Sequence, residues 1–110
     1  MTFKTLQAEQ AKELLAADQA TFVDIRDPQS FQQSHIKGAT RLDNDNLSEF
    51  IAGQDKARPL VVCCYHGMSS QNAAQFLVEQ GFQEVYSLEG GFEFWRSCQP
   101  DFCEGSGLAN

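Results

Sequence analysis

Cys64, Tyr65, His66, Gly67, Met68, Ser69 and Ser70 make a short polar loop with a thiol at its first position and two hydroxyls at its end. Cysteine attacks, or carries sulfur, as the thiolate, and a free thiol with a pKa of about 8.5 is mostly protonated at neutral pH. Three features of this loop favour the anion. Successive amides from Tyr65 to Ser69 form, in a curled backbone, a concave nest aimed at the sulfur. A helix starting near Ser70 places its positive end at the same point. His66, two residues from the thiol, offers a donor or part of a positive charge. Gly67 permits the curl, while Ser69 and Ser70 suit capping or hydrogen bonding to the sulfur or its adduct. The chemistry this predicts is nucleophilic attack by Cys64, with an intermediate held on the sulfur.

The same residues leave a plainer reading open. A cysteine after an apolar strand is ordinarily a small, buried, inert residue, and that is the expectation for Cys63. Cys64 differs because the polar, glycine-containing loop begins at it. Cys64 and His66 also make two ligands of a zinc set, but no further Cys or His pair at ligand spacing completes four, so no metal is expected. No organic cofactor is expected either.

Such a loop needs a strand before it and a helix after it. The apolar run at 59–63 reads as a buried strand. Ala73, Ala74, Leu77 and Val78 fall at helical spacing, and Gly81 stands where that helix would stop. Upstream, 3–6 reads as an edge strand, 8–17 as a helix with Ala11, Leu14 and Leu15 on one face, and 21–25 as an interior strand. Asp27 and Pro28 are a cap and a first-position proline for a short helix over about 28–34. A brief strand at 39–42 follows Gly38, and the cluster Asn44–Asn46 caps a helix at 47–52 that Gly53 ends. Downstream come a strand at 84–87, a tight Glu89-Gly90-Gly91 loop and a helix at 92–98. These alternating elements predict one α/β domain over residues 1–100, a mainly parallel central sheet flanked by helices on both faces. The last ten residues, with Gly105, Ser106 and Gly107, are expected to fray as a flexible tail. A site in such a sheet lies beyond the carboxyl ends of its strands, where Cys64 falls.

The bulk properties narrow the partners. A chain of 110 residues with 42% hydrophobic residues, nine of them Phe, suits one packed core. A formal charge of −7 argues against nucleic acid and against anionic membranes, so any anion site must be built locally. The start, Met1-Thr2-Phe3-Lys4, lacks the apolar core of an export signal. All four cysteines are therefore expected as thiols in a reducing cytoplasm, the adjacent Cys63 and Cys64 being poor candidates for a disulfide.

Three segments together resemble a known family. Val23-Asp-Ile-Arg-Asp-Pro-Gln-Ser-Phe-Gln-Gln-Ser-His-Ile-Lys-Gly-Ala39 is similar to the amino-terminal signature of rhodanese domains. Cys64 to Ser70 resembles their active-site loop, and Gly81-Phe-Gln-Glu-Val-Tyr-Ser-Leu-Glu-Gly-Gly-Phe-Glu-Phe-Trp95 resembles their carboxyl-terminal signature. The resemblance implies a rhodanese-like fold and a thiosulfate sulfurtransferase working through a Cys64 persulfide. Thiosulfate would be the donor, and cyanide or a thiol such as thioredoxin the acceptor. It implies that residues 65–70 bind substrate and persulfide, and that Asp24, Arg26 and His35 form a bonded set bracing the site. Gly90 and Gly91 would allow close packing beside the loop, Trp95 would be core, and Cys98 and Cys103 bystanders. Many rhodanese loops carry Arg or Lys beside the cysteine. Here Tyr65, His66 and Met68 supply little charge, so weak thiosulfate binding is expected.

Two rival functions follow from the same residues. A phosphatase or arsenate reductase needs an Arg six positions after its cysteine to clamp a tetrahedral dianion. This chain has Ser70 there and no Arg in the loop. The other rival is a non-catalytic or sulfur-carrier module that takes its sulfur from a protein partner.

Overall fold

Every residue of the strand Leu60–Cys63 is buried, as a strand covered on both faces requires. The structure is a computed structural model and describes residues 2–108. In chain order its elements are β1 (Lys4–Leu6), α1 (Ala8–Ala16), β2 (Thr21–Asp24), α2 (Pro28–Gln33), β3 (His35–Ile36), β4 (Thr40–Arg41), α3 (Leu47–Gly53), β5 (Leu60–Cys63), α4 (Ser69–Glu79), β6 (Val85–Leu88), α5 (Gly91–Cys98) and β7 (Cys103–Glu104). Short 3-10 turns cover Pro100–Phe102 and Ser106–Leu108. Five strands form one sheet in the order β1-β6-β5-β2-β4, with every neighbouring pair parallel.

Strand alternation divides the core. Val61 and Cys63 face one layer with Ala8, Ala11, Phe22, Phe92 and Trp95. Leu60 and Val62 face the other, with Phe50, Ala74, Leu77 and Phe82. Thus α1 and α5 cover one face of the sheet, and α3 and α4 the other. The predicted α/β domain with helices on both faces is the observed one, and Trp95 is wholly buried within it.

Connectivity puts a crevice where the site was expected. From β2 the chain moves outward to β4, whereas from the adjacent β5 it moves the opposite way to β6. Neighbouring strands whose onward connections diverge leave a gap beyond their carboxyl ends, and this is where open α/β sheets place ligands. Asp24 ends one of these strands and Cys63 the other, and the two are paired in register.

Three local expectations change. Asn46 does not cap α3 with its side chain; its Oδ1 accepts from the Asp43 amide and its Nδ2 donates to the Arg41 carbonyl. Gly53 is the last residue of α3 rather than the stop after it. The segment expected to fray carries β7, antiparallel to a β3 that local pattern did not reveal. It is held there because the Lys37 amide and Trp95 Nε1 both donate to the Phe102 carbonyl, at 2.8 and 3.3 Å. Residues 109–110 of that tail lie outside the described residues.

Candidate active site

The loop that follows β5 curls back so that Cys64 Sγ sits over the first turn of α4. The amides of Gly67 and Ser70 each donate to the sulfur at 3.2 Å, and Ser70 Oγ lies 3.3 Å from it. Met68, the residue preceding α4, supplies no side-chain cap. The sulfur therefore takes the part that an Asp or Ser oxygen plays at other helices, accepting from the second amide of the helix. An anion there also meets the positive end of the helix dipole.

These donors decide the state of the thiol. Burial pushes the Cys64 thiol up, but the Ser70 hydroxyl and the amides of Ser70, Gly67 and His66 outweigh it and hold the thiol below its ordinary value. One residue earlier the balance reverses. Cys63 is fully buried among apolar side chains, and burial, reinforced by the nearby Asp24 charge, raises its thiol well above the usual range. The two adjacent thiols are thus shifted in opposite directions, Cys64 down and Cys63 up.

The loop is clamped from the side by α5. The Phe92 amide donates to the Cys64 carbonyl at 2.8 Å, and the Glu93 amide to the Tyr65 carbonyl at 3.1 Å. Gly90 and Gly91 both have positive φ, and a Cβ on Gly91 would fall 2.5 Å from the Tyr65 carbonyl oxygen. Gly67 meets them from the loop side, since a Cβ there would lie 2.9 Å from the Gly90 nitrogen. At Gly91 and Gly67 the close packing is therefore backbone against backbone, which only glycine permits, whereas a Cβ on Gly90 would meet Phe94 Cβ at 2.7 Å.

A buried ion pair braces the other side. Arg26 grips both carboxylate oxygens of Asp24, with Nε at 3.0 Å from each and Nη2 at 2.8 Å from Oδ2. Its Nη2 also donates to the Ser34 carbonyl at 2.7 Å, so the guanidinium is satisfied on several sides. The cation lies 4.2 Å from the ring centre of Phe92 and 5.8 Å from that of Tyr65. Tyr65 in turn hydrogen-bonds through its hydroxyl to the Asp27 carboxylate, tying the loop to the start of α2.

Comparison with known proteins agrees with this geometry. The family model described as the rhodanese-like domain matches residues 7–98. The chain belongs to the rhodanese-like domain family. It is 54% identical over 99 residues to thiosulfate sulfurtransferase GlpE of Pseudomonas aeruginosa strain LESB58, covering 90% of this chain and 89% of that protein. It is 55% identical over 102 residues to thiosulfate sulfurtransferase GlpE of Stutzerimonas stutzeri strain A1501, covering 93% of each. Among solved structures, the rhodanese-like domain of the Anabaena protein Alr3790, determined by NMR, superposes with a TM-score of 0.83 at 24% identity. That match covers 96% of this chain and 82% of that one.

Within this rhodanese-like domain the residues singled out from sequence separate into two groups. Cys64, Gly67 and Ser70 converge on the sulfur. Tyr65, His66, Met68 and Ser69 are exposed and turn their side chains elsewhere. The His66 ring has no hydrogen-bond partner among the described residues, so His66 reaches the sulfur through its amide alone. Met68 is 74% exposed on the rim. Asp24 and Arg26 form the expected pair, but His35 stands apart from it. His35 stacks on Phe31 with ring centres 3.8 Å apart, and its Nε2 lies 3.2 Å from Glu104. β7 brings Glu104 beside His35, and the Arg26 fork is already filled by Asp24 and the Ser34 carbonyl. Cys98 is exposed and Cys103 half-buried, neither within the loop's hydrogen bonding. Sequence reasoning missed Ser87, whose hydroxyl lies 2.7 Å from Ser70 Oγ. A serine inside the apolar strand Val85–Leu88 was the available signal, because a buried hydroxyl needs a partner.

Proposed function

We propose that this chain is a thiosulfate sulfurtransferase working by a ping-pong exchange on Cys64. In the first half the Cys64 thiolate attacks the outer sulfur of thiosulfate. The sulfur–sulfur bond of thiosulfate breaks, its electron pair leaves with sulfite, and a Cys64 persulfide anion remains. In the second half a nucleophile, cyanide or a thiolate, attacks the outer sulfur of that persulfide. Thiocyanate or a new persulfide departs, and the Cys64 thiolate is regenerated. Dividing the transfer between two displacements at sulfur gives each a good leaving group. A cellular dithiol protein such as thioredoxin fits the acceptor role chemically.

One observation carries the reading: the sulfur of Cys64 accepts two backbone amides at the start of α4, while the position an anion-clamping arginine would need holds Ser70. Fixed amide dipoles favour a thiolate and a persulfide in turn without reorganising. With no Arg or Lys in residues 64–70, thiosulfate is held weakly and phosphate esters lack their bidentate partner. Residues 65–70 act as the binding loop, mainly through their backbone, and Asp24 and Arg26 as support, while His35 serves the β3–β7 clasp through Glu104. The domain that carries the activity is residues 1–100, with 101–108 clasping its α2 and β3 edge. A reducing cytoplasm suits a chain that keeps four thiols.

The test is an intact mass after incubation with thiosulfate. The expected result is a gain of one sulfur atom, removable by cyanide, and no gain in Cys64→Ser. Loading from a cysteine desulfurase but not from thiosulfate would replace this reading with a sulfur carrier. Turnover of an aryl phosphate would replace it with a phosphatase.

A further inference from the structure

Ser87 is a buried hydroxyl in the middle of the sheet with no part in the steps above. It lies on β6, in register with Val62 of β5 and Thr5 of β1, and is 1% exposed. Its one side-chain hydrogen bond among the described residues is to Ser70 Oγ, at 2.7 Å. Ser70 is itself fully buried, and its Oγ lies 3.3 Å from Cys64 Sγ. Three atoms thus form a chain: Ser87 Oγ, Ser70 Oγ, Cys64 Sγ.

The protons in that chain can be counted for each state of the sulfur. With a thiolate, Ser87 donates to Ser70 and Ser70 donates to the sulfur, so both hydroxyl protons have acceptors. With a thiol there are three protons for the two links, so one always lacks an acceptor within the chain, and two arrangements show the cost. In one, the thiol donates to Ser70, Ser70 donates to Ser87, and the Ser87 proton is left in a buried site without a side-chain acceptor. In the other, Ser70 donates to a neutral sulfur, which is a poor acceptor. Either arrangement is worse than the thiolate one, because an unmade hydrogen bond costs most where water cannot replace it. A hydroxyl that already accepts a hydrogen bond is also a stronger donor to the next group.

We propose that Ser87 is a positioning residue for the reaction at Cys64: it orients the Ser70 hydroxyl toward the sulfur and so favours the thiolate. The proposal rests on Cys64 being the nucleophile. It bears on both half-reactions, since Cys64 attacks as a thiolate in the first and departs as one in the second.

The experiment is a double-mutant cycle on the pH midpoint of Cys64 alkylation, followed by peptide mass spectrometry with fragment ions that separate Cys64 from Cys63. Ser87→Ala removes one oxygen and leaves the strand apolar. It is expected to raise the midpoint by about half a unit, from cooperative weakening of one charge-assisted bond plus the freed Ser70 rotor. Ser70→Ala is expected to raise it by about one unit. In the Ser70→Ala background, Ser87→Ala should add nothing, because its only route to the sulfur is gone. An unchanged midpoint in Ser87→Ala overturns the proposal. So does an equal shift with and without Ser70, which would mean a general loosening of the sheet. Failure of thiosulfate to load Cys64, with the cycle behaving as described, would remove the sulfurtransferase reading and leave the role of Ser87 standing.

Discussion

Replacing Gly91 with alanine tests whether the loop that bears Cys64 is held in place by α5. At φ +62° a Cβ on residue 91 would lie 2.5 Å from the Tyr65 carbonyl oxygen and 2.6 Å from the His66 nitrogen. Both atoms belong to the loop backbone, so no side chain can rotate out of the way. Left-handed backbone costs an L residue about 1–2 kcal/mol. Forcing packed groups apart adds about 1–3 kcal/mol. The movement also strains the two amide bonds from Phe92 and Glu93 to the Cys64 and Tyr65 carbonyls, each worth about 1 kcal/mol. A loss of about 3–5 kcal/mol is therefore expected, a large part of the stability of a domain this size.

Gly38→Ala separates the two causes. Gly38 has a similar φ of +79°, but nothing lies within 4 Å of its Cβ direction. It should lose only the backbone cost of about 1–2 kcal/mol. Urea denaturation of the two variants beside the wild type measures the difference. The clamp predicts that Gly91→Ala loses at least about 2 kcal/mol more than Gly38→Ala. Equal losses would refute the argument that contact between α5 and the loop fixes the site.

Two further outcomes follow from groups whose surroundings are clear. His66→Ala should leave the pH midpoint of Cys64 alkylation where it is, because the ring has no partner and the amide remains; a rise would mean the imidazole reaches the sulfur in solution. Glu104 is held below its ordinary value chiefly by the Gly38 amide, with the His35 ring helping against the opposing effect of burial. A depressed carboxyl contributes stability fully above the unfolded Glu range and loses it as pH falls through the lowered value. Amide exchange at Cys103 and Glu104 should therefore speed up relative to β5 as pH falls from neutral into that acidic window, and an unchanged ratio would count against the clasp.

Much of this was legible because it is local or periodic. The apolar run at 59–63 reads as a buried strand, and Asp27 with Pro28 reads as a helix start; both stand in the structure, the strand as Leu60–Cys63. Gly90 and Gly91 announce a close approach without naming what approaches. What could not be read depends on pairings between distant segments. Ser87 matters only because β6 lies beside β5 in one register, which aims its hydroxyl at Ser70, 17 residues away. The resemblance to the family signature groups His35 with Asp24 and Arg26, yet its carboxylate partner is 69 residues on. His66 illustrates the converse. Only Tyr65 separates it from the thiol, but the curl that turns amides inward turns its ring out.

That curl explains why so little charge suffices at Cys64. A loop that relied on a cation to keep a thiolate would depend on a flexible side chain and on its own desolvation. Here the sulfur is the cap of α4, so the groups that favour the anion also start the helix and cannot drift from it. The sequence information that specifies the site accordingly lies in small residues. Gly67 has its Cβ direction 2.9 Å from the Gly90 nitrogen and 3.2 Å from the Leu88 carbonyl oxygen, Gly91 receives the loop, and Ser70 completes the ring of donors. Tyr65, His66 and Met68, which look like the chemical part of the motif, face outward. Their side chains lie at the surface, while the amides beneath them are the groups that meet the sulfur.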